Sequence, residues 1–150
     1  MHEALSIKVW HQLALDGNAP PVRIQLNGCS MDPLIRKNRD NVTIIPPEDE
    51  MKTGNIVLFC EPEKDRYVVH RIWKIQDGKV LTWGDNCPEP DAWIPMESIW
   101  GKVVLIERGK RRIKPHPKTG LIWAFLWHQA MKIYRVRGRI KRYLGYKNQQ

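Results

Sequence analysis

The sequence predicts a mainly β protein, a small antiparallel sheet or barrel with a helix at each end. Between Val22 and Glu107, short runs rich in β-branched residues alternate with Gly, Pro, Asn and Asp, a pattern typical of strands joined by turns. Both ends instead carry apolar residues at helical spacing. The predicted strands are residues 22–26, 41–46, 55–59, 67–75, 80–83 and 102–107.

The N-terminal helix is predicted within residues 1–18. Leu5, Val9 and Leu13 fall on one face, and the turn-forming run Asp16-Gly17-Asn18, followed by two prolines, ends the helix. The β domain then covers residues 20–107, within a chain of 150 residues that suits one domain.

The C-terminal part is predicted as a basic linker followed by a basic amphipathic helix. Residues 108–118 contain Pro115 and Pro117, which prevent a continuous helix there. The helix is predicted over 119–150. Its apolar face is formed by Leu121, Ile122, Phe125, Leu126 and Ile133.

Positive charge is concentrated in this C-terminal part. Residues 108–150 hold 13 of the 25 Lys and Arg residues and none of the 16 Asp and Glu residues, in a chain of net charge +9. Such a segment favours a polyanion. A Trp- and Leu-rich start and a basic end are typical of a helix at an anionic membrane surface. The alternative is a helix packed on the β domain.

Several classes of function are disfavoured. No apolar run approaches the roughly 20 residues that span a bilayer, so we expect a cytoplasmic or peripheral membrane protein. The three cysteines, Cys29, Cys60 and Cys87, are odd in number and form no CxxC motif, which argues against a disulfide framework or zinc ribbon. The histidines show no metal-ligand spacing with them, and no phosphate loop occurs. We expect no metal and no cofactor.

Three segments carry residues suited to acyl transfer. Ser30 follows Gly28, which permits a tight turn that would expose the serine hydroxyl. His70 lies in a predicted strand and could act as the base that a serine nucleophile needs. Asp85 and Asp91, in the loop after the next strand, could orient the imidazole. Taken singly, each has a plainer interpretation: a helix-capping serine, a sheet histidine and turn-capping aspartates.

Together these segments resemble the S24/S26 serine peptidase clan, and specifically type I signal peptidases. Ser30-Met31-Asp32-Pro33 matches the SMxP box, Val69-His70-Arg71-Ile72 resembles the HRV box and Gly84-Asp85-Asn86 matches the GDN box. Gly54–Phe59 and Gly101–Val104 resemble two further strands of that family, and Asp91 falls where it has another aspartate. The resemblance covers about residues 22–107 and implies the β fold shared by signal peptidases and the C-terminal domain of LexA-like repressors.

The resemblance also implies roles for these residues. Ser30 would be the nucleophile and His70, in place of the commoner bacterial lysine, the general base. Asp91 would orient His70, and Asp85 would more readily brace the site, although the two could exchange roles. Gly28 stands where many members have a serine that donates to the oxyanion; Asn27 is a candidate replacement.

The implied substrate is a precursor peptide bound in an extended form, with a leader or signal segment removed. Met31, Pro33, Gly28 and Val69 are the expected substrate-binding residues, and Ile24 and Leu26 could also line the site. Two features depart from the family: residues before Ser30 are too polar to form its usual membrane anchor, and its RGD-like motif is replaced by Arg36-Lys37-Asn38-Arg39-Asp40. Asn38 could adopt the positive φ of the missing glycine.

A second hypothesis is a catalytically silent peptidase fold. The basic tail would then dock a membrane, a nucleic acid or a partner protein. Nucleic acid is the less favoured partner, because only about 20 residues precede the first strand and no helix-turn-helix motif is evident among them.

Overall fold

The described residues form one antiparallel sheet with an N-terminal and a C-terminal helix, which confirms the predicted mainly β fold. The computed structural model describes residues 2–48, 50–61 and 66–147, without the side chains of 2–6 and 137–147. The helices are α1 (His2–Leu15) and α2 (Pro117–Lys147). The strands are β1 (Val22–Gln25), β2 (Asn41–Ile45), β3 (Ile56–Glu61), β4 (Arg66–Gln76), β5 (Lys79–Trp83), β6 (Trp93–Pro95), β7 (Ile99–Arg108) and β8 (Arg111–Ile113).

Strand β7 connects the two halves of the sheet, whose order is β1-β2-β7-β3-β4-β5-β6. Its first residues pair with β3, and residues 102–107 pair with β2. Its last residues pair with β8 in a hairpin whose turn contains Gly109 at a φ of 58°. A long strand with different partners along its length therefore places β1 and β4 where they can flank one cleft.

Two apolar clusters form the core. Because side chains alternate along a strand, Ile56 and Leu58 of β3 join one cluster, and Val57 and Phe59 join the other. The first cluster also contains Met31 and Ile35, which are both 1% exposed and follow Ser30 in the chain. The turn that carries the candidate nucleophile is thus anchored in the core.

Helix α1 packs through a different face from the one predicted. Ile7 and Trp10 are buried, whereas Val9 and Leu13 are 57% and 41% exposed. The Trp10 indole also donates to the Pro20 carbonyl oxygen at 2.7 Å. The large indole with a hydrogen-bond partner provides more burial than the smaller aliphatic residues that the periodicity favoured. The helix ends as predicted, with Gly17 at a φ of 72°.

The predicted linker at 108–118 is wrong in its central part. Arg111–Ile113 form strand β8, and α2 begins at Pro117. Proline is well suited to a first helical turn because its missing N–H is not needed there. The strand was missed because three residues, two of them arginine, show no alternation that predicts a strand.

Between Pro117 and Val136, where its side chains are described, helix α2 packs on the sheet through one face. Ala124 and His128 are buried, and the His128 ring contacts the rings of Trp73 and Trp83, at centroid distances of 5.3 and 4.1 Å. Most of the predicted apolar face points to solvent instead: Ile122, Phe125, Leu126 and Ile133 are all more than half exposed.

Candidate active site

An open cleft of about 670 Å³ lies between the β1 segment and the first half of β4. Its walls include Ile24, Leu26 and Gly28 on one side and Val68 and Val69 on the other. In the described pairing, β1 pairs only with β2, and residues 68–70 of β4 pair only with β3. These residues therefore present free strand edges, which can bind an extended peptide through main-chain hydrogen bonds.

Ser30 lies in this cleft, half-buried, at the start of a turn. Its position is fixed from two directions. Met31 and Ile35 anchor the turn in the core, and the Ile35 N–H donates to the Met31 carbonyl oxygen at 2.9 Å. On the other side, the Asn86 N–H donates to the Ser30 carbonyl oxygen at 2.7 Å, and Asn86 Nδ2 donates to the Cys29 carbonyl oxygen at 3.2 Å.

The segment after Ser30 is fixed by a buried aspartate. The Asp40 carboxylate pairs with Arg108, whose Nη2 also donates to the Leu34 carbonyl oxygen at 2.9 Å. Asn38 has a φ of 53°, the positive φ that was predicted for it.

His70 and Asp91 form a direct pair at the cleft. His70 Nδ1 lies 2.6 Å from Asp91 Oδ2, with the imidazole almost completely buried. The same carboxylate oxygen accepts a hydrogen bond of 2.8 Å from the hydroxyl of Thr82, a buried residue of β5. The Asp91 N–H also donates to the Thr82 carbonyl oxygen, which holds the returning loop against the strand. Asp91 therefore fixes Nδ1, and the Cys87 side chain is a second hydrogen-bond partner of the His70 ring.

Opposing effects act on the pKa of His70. Burial lowers it, but the hydrogen bond and negative charge of Asp91, together with the neighbouring Cys87 thiol, outweigh burial and raise the pKa to about 9. The protonated imidazole is therefore the stable form at neutral pH, as in a site built to stabilise the imidazolium.

Asp85 does not contact His70 Nδ1, the position that Asp91 occupies. Its two carboxylate oxygens accept hydrogen bonds of 2.9 and 2.8 Å from Arg71 Nε and Nη2, and both side chains are completely buried. Arg71 Nη1 also donates to the Gly54 carbonyl oxygen at 2.9 Å. Of the two predicted candidates, Asp91 thus faces the histidine, and Asp85 links β4 to the loop after β5. Asp85 therefore occupies a bracing position, one of the two roles considered for it.

Gly84 allows His70 to lie beside the Ser30 backbone. A Cβ atom at position 84 would lie 2.8 Å from both His70 Nε2 and the Ser30 carbonyl oxygen, and 2.7 Å from Cys87 Sγ. Any side chain would therefore separate the imidazole from the serine. In the described residues no hydrogen bond joins Ser30 Oγ to His70; such catalytic hydrogen bonds often tighten only when substrate binds.

The predicted substrate-binding residues divide into two groups. Gly28, Met31 and Val69 line the cleft, as do Ile24, Leu26 and Asn27. Pro33 does not line it, and its carbonyl oxygen accepts a hydrogen bond from Arg108 at 3.3 Å. The turn directs Pro33 away from the cleft because Arg108 holds its backbone toward Asp40, so Pro33 belongs to the support of the site.

Four residues that contact the candidate site residues were given no role from the sequence: Thr82, Arg71, Asn86 and Cys87. Asn86 belongs to the Gly84-Asp85-Asn86 motif, and Arg71 belongs to the Val69–Ile72 motif. Their positions in these motifs could therefore have indicated that they lie near the site. Thr82 and Cys87 gave no such indication, because each depends on how the loop after β5 folds back. The three cysteines form no disulfide, and the described residues contain no group of three or more His, Cys, Asp or Glu that could hold a metal ion.

No protein-family model matches the chain. Within the described residues, no helix is both long enough and apolar enough to cross a membrane.

Proposed function

We propose that this chain is a serine endopeptidase that removes a leader or signal segment from a precursor peptide. The observation that carries the proposal is the 2.6 Å pair of His70 and Asp91 at the wall of a cleft that also contains Ser30. A serine hydroxyl is a poor nucleophile without a base, and an oriented imidazole supplies that base.

In the proposed reaction, Ser30 Oγ attacks the scissile carbonyl carbon while His70 Nε2 takes the hydroxyl proton. The protonated His70 then gives this proton to the leaving amine, and an acyl-enzyme remains on Ser30. A water molecule then gives a proton to His70 Nε2 while its oxygen attacks the acyl carbon. The bond between this carbon and Ser30 Oγ breaks, and His70 returns the proton to Oγ, which restores the serine and releases the acid. Asp91, held by Thr82, keeps the ring oriented and stabilises the imidazolium throughout.

The substrate is proposed to lie in extended form between the two free strand edges. Main-chain hydrogen bonds to β1 and β4 would supply affinity, and the apolar wall of Ile24, Leu26 and Val69 would select side chains. A flexible leader segment can adopt this extended conformation, whereas a segment inside a folded domain cannot.

The first test is labelling with a fluorophosphonate probe, which reacts with activated serines. We expect labelling of the wild type, loss in Ser30→Ala and His70→Ala, and full labelling in Ser98→Ala, the matched serine control. Circular dichroism would show that each variant is folded. Cys29 and Cys87 line the same cleft, so Cys87→Ala is included: labelling that survives Ser30→Ala but disappears in Cys87→Ala would overturn the assignment of Ser30.

Cleavage itself is tested with a library of unstructured peptides analysed by mass spectrometry. We expect cuts with the wild type and none with Ser30→Ala. Probe labelling without any cleavage of peptides would contradict the endopeptidase proposal while leaving the activated serine in place.

A further inference from the structure

Helix α2 carries a second apolar face that nothing in the described structure covers. Ile122, Phe125, Leu126, Ile133 and Val136 are between 51% and 62% exposed. We call these five residues the outer stripe. At the helical repeat they fall within an arc of roughly 100°, the width of a burying face of an amphipathic helix.

The outer stripe is separate from the face that packs on the sheet. The packed face runs through Ala124 and His128, which are buried, and the centre of the stripe lies about 130° around the helix from the centre of that face. Five large apolar side chains within one arc of a helix, interrupted by Gln129, are not the scattered surface residues that need no explanation. A helix with apolar residues on two faces needs two partners, and the sheet supplies only one.

Aromatic and basic residues border the stripe. Trp123 is 38% exposed and stacks on Trp127 with the ring centroids 5.7 Å apart, and Tyr134 is 72% exposed. Lys118 and Lys132 are exposed on the same helix. Amphipathic aromatics and lysines beside an apolar row suit a boundary between hydrocarbon and anionic headgroups.

We propose that the outer stripe of α2 docks on an anionic lipid bilayer, with the helix lying in the plane of the interface. The charge of the helix favours this occupant over a second copy of the chain: α2 contains eight Lys and Arg residues and no acidic residue, so two copies of this helix repel each other. It also favours a bilayer over nucleic acid, because a phosphate backbone neutralises the charges but leaves five exposed apolar side chains in water.

Docking would bring the candidate cleft close to the membrane. Arg135 of α2 donates to the Asn86 carbonyl oxygen at 3.3 Å, and the Asn86 N–H donates to the Ser30 carbonyl oxygen. The docked helix is therefore in contact with the loop that supports Ser30. If the chain is the proposed peptidase, docking would present its substrates near a lipid surface, and this consequence rests on the proposed function. The docking itself does not depend on that function.

The test is flotation of the full-length protein with phosphatidylcholine vesicles, with and without phosphatidylglycerol. We expect the wild type to float with the anionic vesicles and not with the neutral ones. The variant Phe125→Ser/Ile133→Ser should bind at least roughly tenfold more weakly, because two large apolar side chains no longer enter the bilayer. Val9→Ser/Leu13→Ser, which changes two exposed apolar residues of α1, is the matched control and should bind like the wild type.

Three outcomes would overturn the docking proposal. The first is equal flotation of the stripe variant and the wild type, which would show that charge alone drives binding. The second is no flotation of the wild type with anionic vesicles. The third is a wild-type dimer, measured by light scattering, that the stripe variant loses, because a second copy would then cover the stripe. Flotation of Ser30→Ala should equal that of the wild type, so failure of the peptidase proposal is distinguishable from failure of docking.

Discussion

The protonation of His70 sets the pH at which the proposed site can act. Burial lowers the pKa of His70, but the hydrogen bonds and charges of Asp91 and Cys87 raise it to about 9. A general base must be neutral to accept a proton, so the rate of probe labelling should rise with pH until it levels off near pH 9. The measurement is the labelling rate from pH 6 to 10, beside an NMR titration of the His70 ring. A rate that levels off near pH 6.5, the ordinary pKa of histidine, would contradict the raised pKa of His70.

Replacing Asp91 with asparagine should separate orientation from basicity. Asp91→Asn removes the negative charge, so the pKa of His70 should fall and the midpoint of the rate profile should move to lower pH. The maximum rate should also fall, by about 10²–10⁴, because the imidazolium loses its partner. Glu89→Gln, an exposed charge change in the same loop, should leave the midpoint in place. An unmoved midpoint in Asp91→Asn would contradict the assigned contact.

The same pair also affects stability. The folded-state pKa of His70 is raised above 6.5, the ordinary value for histidine. The contribution of the pair to the free energy of unfolding is therefore complete below about pH 6.5 and is lost as the pH rises through about 9. The proposed site is thus most stable where its base is protonated and most active where it is neutral.

Gly28 offers a gain-of-function test. A Cβ atom at this position would have Ser30 Oγ as its nearest neighbour, 4.0 Å away, so a serine side chain has room beside the nucleophile. Removing one oxyanion donor typically costs about 10²–10³ in rate, and Gly28→Ser should recover part of that range. The labelling rate of Gly28→Ser is compared with Gly28→Ala, which lacks the hydroxyl. An equal rate in the two variants would show that the added hydroxyl does not donate.

At the scale of elements, the buried pair of Arg71 and Asp85 joins β4 to the loop after β5. Asp85→Ala leaves the Arg71 guanidinium buried without its carboxylate, so the free energy of unfolding should fall by about 3–5 kcal/mol. Urea denaturation measures this change. The control Glu89→Ala, in the same loop but exposed, should change it by less than about 0.5 kcal/mol. The double variant Arg71→Met/Asp85→Leu should recover much of the lost free energy of unfolding, because no charge is then buried without a partner. If the double variant is as unstable as Asp85→Ala, the unpaired guanidinium is not the cause of the loss.

The longer strands and both helices could be predicted from the sequence because their patterns are local. Strands β6 and β8 could not. Each has only three residues, and each exists because a neighbouring strand, β5 or β7, provides a partner edge. A helix or strand could thus be predicted where it is long enough for its hydrophobic pattern to repeat. A strand that is defined only by pairing with its neighbour could not.

The faces of the two helices show a different limit. In α2 the periodicity identified an apolar row, but the face that packs on the sheet includes His128, which contacts Trp73 and Trp83. His128 is polar and does not add to the hydrophobic periodicity of the helix, so the sequence could not show which face the sheet covers. A sequence with two candidate faces cannot rank them without the partner surface.

The candidate site was predictable as a set of segments but not as a set of contacts. The order of the short motifs around Ser30, His70 and Asp85 predicted that Ser30 and His70 share one site. It did not decide whether Asp85 or Asp91 orients His70. That choice depends on the Asp91 backbone returning to Thr82 and on the Arg71 side chain taking Asp85. Both are long-range hydrogen bonds that no local pattern reports.

At the scale of the whole molecule, one helix connects the sheet, the candidate cleft and the proposed bilayer surface. His128 attaches α2 to the sheet, Arg135 attaches it to the loop that supports Ser30, and the outer stripe faces away. Any change that loosens α2 from the sheet should therefore affect both stability and the cleft.

Acidification should loosen this helix through His128. Burial lowers the pKa of His128; Asp85 opposes that shift, and the charges of Lys132, Arg135 and Arg71 add to it. Because the unfolded chain then binds the proton more readily than the folded one, the free energy of unfolding should decrease as the pH falls below about 6.5. His128 Nε2 is also buried without a hydrogen-bond partner among the described residues. Replacing it with an apolar side chain should therefore stabilise the protein by about 1 kcal/mol at neutral pH.

The measurement is urea denaturation of the wild type and His128→Leu near pH 7.5 and 5.5. The stabilisation by His128→Leu should be larger at the lower pH, because only the wild type must bury a titrating ring against the indoles of Trp73 and Trp83. His116→Leu, at an exposed position just before α2, controls for removal of a histidine in general and should show no such difference. If His128→Leu changes the free energy of unfolding equally at both pH values, protonation of His128 does not control the attachment of α2. The acid sensitivity of the protein would then belong to other groups.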